Sequence, residues 1–138
     1  IYENDEVSFK DKVKDLTGGK GADVIYDPVG GEVFDQSIRC INWGGRLLII
    51  GFAGGTIPTL PVNYPLIKGF SVVGVRAGEF GRRDPLLGRE NIDIINSLAE
   101  DNKIRPHICK IFDFIDSKKA LEFLENRELI GKVVIRIS

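Results

Sequence analysis

The sequence predicts an α/β fold built on a parallel sheet. Three observations carry that expectation. The run Arg46-Leu47-Leu48-Ile49-Ile50 is almost continuously apolar, as suits a parallel strand covered on both faces. Strand-like and helix-like patterns alternate around it. Two glycine clusters, Gly30-Gly31 and the segment Gly51-Phe52-Ala53-Gly54-Gly55, stand just after predicted strands. In open parallel sheets, ligands bind outside the carboxyl ends of the strands.

The elements follow in order. Ser8 and Asp11 have the spacing of a capping box, with Asp in the place of the usual Glu or Gln. Phe9, Val13 and Leu16 then share a helical face, and Gly18-Gly19 supplies a stop. Ala22 to Asp27 reads as a strand ended by Pro28 and Gly30-Gly31. A second helix is predicted from Glu32 to about Asn42, with Phe34, Ile38 and Ile41 as its apolar face and Gly44-Gly45 as its close. After the Arg46–Ile50 strand, Pro58, Pro61 and Pro65 mark a crossover, and Phe70 to Val75 is the next strand. Gly78 to Gly88 reads as a polar loop. A helix is predicted over Glu90 to Glu100, a strand over His107 to Phe112, a helix capped by Asp116 or Ser117, and a last strand over Lys132 to Ile137.

Composition excludes several function classes. Hydrophobic residues are 43% and charged residues 28% of the 138, within the range of folded domains rather than disordered chains. Nineteen basic against twenty acidic side chains leave a net charge of -1, so no basic excess attracts nucleic acid or an anionic membrane. The apolar stretch from Leu47 to Ala53 is far below the ~20 residues of a membrane helix. Ile1-Tyr2-Glu3-Asn4-Asp5 reads unlike a secretory leader. The sequence starts at Ile1 and holds no methionine, which predicts a piece of a longer polypeptide. Cys40 and Cys109 are distant and flanked by apolar residues, so both are expected to be buried, reduced thiols in a cytoplasmic setting. With His107 the single histidine, no spaced metal-ligand set is present.

No G-x-G-x-x-G occurs. Gly18-Gly19-Lys20-Gly21 lacks the Walker spacing, because Lys14 stands where the first glycine belongs and Gly21 where Ser or Thr belongs. The glycines after the strands either admit a ligand close to the backbone or simply make turns. Arg82 and Arg83 read as an anion grip or as solvated loop charge. Trp43 reads as a packing residue, and His107 as a structural or surface histidine.

Several ordered segments together resemble the medium-chain dehydrogenase/reductase superfamily. They are Gly21-Ala22-Asp23-Val24-Ile25-Tyr26-Asp27-Pro28-Val29-Gly30-Gly31, Trp43-Gly44-Gly45-Arg46-Leu47 and Ile50-Gly51-Phe52-Ala53-Gly54-Gly55. Lys103-Ile104-Arg105-Pro106-His107, Lys119-Ala120-Leu121 and Gly131-Lys132-Val133-Val134 agree. Within the superfamily, the sequence is similar to the zinc-independent quinone oxidoreductase, or zeta-crystallin-like, branch. The resemblance implies the second half of a Rossmann-type sheet, strands 4-5-6, in residues 1–77. Residues 78–138 are then the C-terminal α+β segment that returns to the catalytic domain. It also implies NADPH as cofactor of the parent enzyme, hydride transfer to a quinone or an activated carbonyl or alkene, and no metal or catalytic residue in this chain.

The cofactor-binding positions implied by the resemblance are Tyr2, Val29, Gly30, Ile50, Gly51, Phe52, Ala53, Val75, Arg76 and Ala77. Arg76 departs from the small or polar residue usual there. Relatives dimerise through the strand that matches Phe70–Val75, so a homodimer is expected, with Val73 a residue whose replacement by proline would remove a ladder donor. The Rossmann order 3-2-1-4-5-6 places the cofactor between strands 1 and 4, so one wall of the cleft is expected here, and NADPH binding by this chain alone is expected to be weak or absent. Two alternatives stay open. One is a non-enzymatic dimerisation module from a split or decayed gene. The other is a Rossmann-like methyltransferase fragment, with Asp27 as the acidic residue that meets a ribose.

Overall fold

The computed structural model describes residues 8–126 and 129–137. The chain divides into two compact units, with the boundary between Phe80 and Gly81. The first holds α1 (Phe9–Leu16), β1 (Ala22–Asp27), α2 (Gly31–Cys40), β2 (Ile41–Ile49), α3 (Asn63–Lys68) and β3 (Ser71–Gly74). The three strands form a parallel sheet in the order β1-β2-β3.

The core of this unit is the expected helix face closed onto the central strand. Phe34 and Ile38 of α2 pack with Ile41 and Leu47 of β2 and with Phe70, while Ile25, Ile49, Leu60 and Tyr64 fill the margin. Leu47 is completely buried. Lys68 Nζ donates to the Ile38 carbonyl near the end of α2, 2.8 Å away. Burial there pushes the Lys68 ammonium below its usual range. Cys40 is buried nearby, and its desolvation pushes the thiol up.

Several expectations change at the boundaries. α2 ends at Cys40, and Ile41 is already extended backbone (φ -74°, ψ 142°), so helix passes into strand without a loop. The Trp43-Gly44-Gly45 segment therefore lies inside β2, where the β1–β2 register shifts between Ala22 and Val24. Trp43 bulges out and is exposed, with its ring against Gly69. The capping box at α1 does not form; the Ser8 hydroxyl instead donates to Gln36 Oε1 on α2, 2.5 Å away. The crossover gains a helix, α3, which starts before Pro65.

The second unit contains most of the remaining elements. α4 (Ala77–Arg83) leads into it, followed by α5 (Pro85–Glu100), β4 (Ile108–Asp113), a 3-10 turn (Phe114–Asp116), α6 (Ser117–Glu125) and β5 (Lys132–Arg136). The polar loop expected over Gly78–Gly88 is instead mostly helical. Asp84 caps α5 by accepting from the Leu87 N–H at 3.0 Å, and Pro85 occupies the first turn, where its missing N–H costs nothing. β4 and β5 pair in parallel, joined through α6. Ala120 is buried, and Lys110 Nζ lies 4.9 Å and 4.8 Å from the Phe112 and Phe123 ring centres. Cys109 is exposed, against the expectation of burial, and Cys40 alone fits it.

Replacing Leu47 by Ala should lower stability by about 2–5 kcal/mol, because the site is sealed by helix and strand and cannot collapse. Urea denaturation should show a lowered midpoint with little change in slope.

Candidate cofactor wall at the carboxyl end of the sheet

The three parallel strands end level with one another. Asp27 pairs with Ile49, and Ile49 with Gly74. The ladder runs one residue further on each side: Ile50 N–H donates to the Asp27 carbonyl and Val75 N–H to the Ile49 carbonyl, both at 2.9 Å. The segments Pro28–Gly31, Ile50–Gly55 and Val75–Ala77 therefore leave the sheet along one line.

The first two segments are locked together by backbone. Asp27 is buried, and its Oδ1 accepts from the N–H groups of Val29 (2.8 Å) and Gly30 (2.9 Å). Ala53 N–H donates to the Pro28 carbonyl at 3.0 Å, and Gly54 N–H to the Val29 carbonyl at 2.9 Å. Two glycines are required by this contact. Gly30 has φ 72° and ψ -159°, a region open in practice to glycine alone, and a Cβ there would lie 3.0 Å from both the Phe52 ring and the Thr56 carbonyl. A Cβ on Gly54 would lie 3.0 Å from the Val29 carbonyl oxygen.

Nine of the ten positions named from sequence thus come to one end of one sheet: Val29, Gly30, Ile50, Gly51, Phe52, Ala53, Val75, Arg76 and Ala77. Tyr2 lies outside the described residues. Phe52 and Ala53 are exposed, Val29, Ile50 and Gly51 half-buried, and Gly30 buried. The exposed Arg76 points a guanidinium to within 3.9 Å of Glu79, a weak pairing that leaves it in water. Asp27, named from sequence only for the methyltransferase alternative, is the buried acceptor at the base of the first turn. Its carboxylate is turned back on its own turn, which does not suit the ribose contact of the methyltransferase alternative. The signal that marks it is Asp two and three residues before backbone donors, ahead of glycine.

Comparison with known proteins agrees with this layout. The family model described as zinc-binding dehydrogenase matches residues 1–89.

The chain belongs to the zinc-binding dehydrogenase family.

Within the medium-chain dehydrogenase/reductase superfamily it is quinone oxidoreductase-like. It is 41% identical over 129 residues to a quinone oxidoreductase-like protein 2 homolog of Nematostella vectensis, which covers 93% of this chain and 35% of that protein. It is 27% identical over 135 residues to a 2-haloacrylate reductase of a Burkholderia species, covering 92% of this chain and 38% of the relative. A mycobacterial structure solved in complex with NADPH superposes with a TM-score of 0.78 at 24% identity, over 99% of this chain and 42% of that one. The chain spans between about a third and two fifths of the length of these curated relatives.

The family description names zinc, and the described residues do not supply a site for it. Among the described residues no three His, Cys, Asp or Glu side chains stand together as metal ligands. No helix among the described residues is long and apolar enough to cross a membrane.

Gly30→Ala should cost about 1–3 kcal/mol, since the backbone conformation and the Phe52 contact both oppose a side chain. A lowered thermal midpoint checks this; an unchanged one contradicts the wall's packing.

Proposed function

We propose that this chain forms the wall of an NADPH cleft along strands 4, 5 and 6 of a quinone oxidoreductase-like enzyme. On this reading the intact protein reduces a quinone or an activated carbonyl or alkene. The observation that carries the reading is the alignment of three strand ends, with the first two exit segments held together by backbone contacts at glycine-rich turns. Such a surface lets a flat nucleotide lie close to the main chain. The quinone oxidoreductase-like and 2-haloacrylate reductase relatives and the NADPH-bound neighbour support it.

When bound, NADPH supplies the hydride, and the protein's part is to hold the acceptor against it. Ile50, Gly51, Phe52 and Ala53 would line the nicotinamide riboside, Val29 and Gly30 the turn beside it, and Val75, Arg76 and Ala77 the third exit segment. Zinc-independence belongs to the same reading, as does a cytoplasmic setting. The glycine-rich phosphate loop of such enzymes has no counterpart in this sequence, and that loop contributes most of the charge-matched binding. The 138-residue chain alone should therefore bind NADPH weakly or not at all. Calorimetric titration of the chain against the intact protein checks this, and micromolar binding to the chain alone would refute the one-wall reading.

The reading includes a homodimer through β3, which lies at the sheet edge and whose flank Val72, Val73 and Val75 is exposed. Its geometry corrects one expectation. Val75 N–H points to Ile49 on β2. Alternate residues of a strand turn their N–H groups to the same side, so Val73 also faces β2, and Val72 and Gly74 face outward. Proline at Val72, not Val73, removes an outer donor while sparing the internal ladder. Val72→Pro in the intact protein should give a folded monomer by light scattering; an undiminished dimer mass counts against pairing at this edge.

A further inference from the structure

We propose that Asp27 is the positioning residue of the nucleotide-facing wall: one buried carboxylate oxygen sets the backbone of the turn after β1 and, through it, the turn after β2. This deepens the NADPH reading and rests on it. A buried carboxylate is costly unless donors meet its charge. Here the donors are two successive main-chain N–H groups, those of Val29 and Gly30, both on Oδ1.

Each of these N–H groups belongs to a peptide plane whose carbonyl points the other way. The plane that gives Asp27 the Val29 N–H carries the Pro28 carbonyl, which accepts from Ala53. The plane that gives it the Gly30 N–H carries the Val29 carbonyl, which accepts from Gly54. Two adjacent planes thus bridge one carboxylate oxygen to the second turn. Fixing their N–H ends fixes the carbonyls that seat Ala53 and Gly54. Asp27 never needs to touch the nucleotide. It is 2% exposed and acts through the segment Ile50–Ala53 that the nucleotide is proposed to meet.

The test uses the intact protein with Asp27→Ala, Asp27→Asn and Gly54→Ala. Asn keeps an Oδ1 acceptor and loses the charge; Ala loses both. In Asp27→Ala, amide hydrogen exchange at Ala53 and Gly54 should quicken at least about tenfold without cofactor, while the Leu47 amide stays as slow as in the wild type. The NADPH dissociation constant should rise about tenfold, the scale of a lost hydrogen bond to a charged group. Asp27→Asn should stay within about threefold on both measures, the residue of charge assistance. Gly54→Ala places a methyl against the Val29 carbonyl and leaves Asp27 intact, so it should quicken Ala53 exchange and weaken NADPH while Val29 and Gly30 stay protected.

Unchanged exchange at Ala53 and Gly54 in a folded Asp27→Ala protein would overturn the proposal. So would an Asp27→Asn variant as defective as Asp27→Ala, which would make charge rather than positioning the cause. If Asp27→Ala does not fold, Gly54→Ala decides, and unaltered NADPH binding in it overturns the proposal. Quickened exchange in a protein whose wild type binds no NADPH would sink the cofactor reading and leave the backbone relay standing.

Discussion

Register in the parallel ladder is the constraint on which the rest of this structure depends. Asp27, Ile49 and Gly74 stand level because β1, β2 and β3 pair without a shift over their last residues. That register is pinned from the side by Leu47, which α2 seals with Phe34 and Ile38. A slip of one residue would turn Leu47 to the opposite face and bring a different residue to the strand end. The core and the candidate wall are thus two readings of one alignment: the buried row holds the register, and the register delivers three exit segments to one place.

The wall is made mostly of backbone. Its contacts are main-chain N–H and carbonyl groups, its tight points are glycines, and its one buried charge is spent on its own turn. Such a surface offers shape and fixed dipoles rather than acids or bases. This suits chemistry in which a nicotinamide carries the reaction and the protein orients it. The single histidine is remote in sequence, and no metal-ligand cluster occurs among the described residues.

The second unit follows a different local logic. Two parallel strands alone make a marginal sheet. β4 and β5 are held by α6 on one side through Ala120 and Phe123, while Ile108, Ile111 and Ile135 stay exposed. The apolar load on these strands exceeds what α6 covers. The first sheet shows the same excess, with Val24 and Tyr26 of β1 exposed.

Local chemistry alone determined the strands. Val-, Ile- and Leu-rich runs closed by Gly or Pro are legible without a fold, and β1 stands where its residues predict it. The apolar face of α2, Phe34 and Ile38, is legible for the same reason. Boundaries were less so: Ile41 satisfies a helix face and a strand start equally well, and only the packing of Leu47 and Phe70 around it ends α2 at Cys40. Gly78–Gly88 carries the composition of a loop, yet Asp84 caps a helix that Pro85 begins, and Gly81 lies against Gly88. Tertiary structure alone decided which way things face. The burial of Cys40 but not Cys109 and the outward N–H groups of β3 at Val72 and Gly74 depend on which neighbour each group meets, and no spacing within the chain encodes that neighbour.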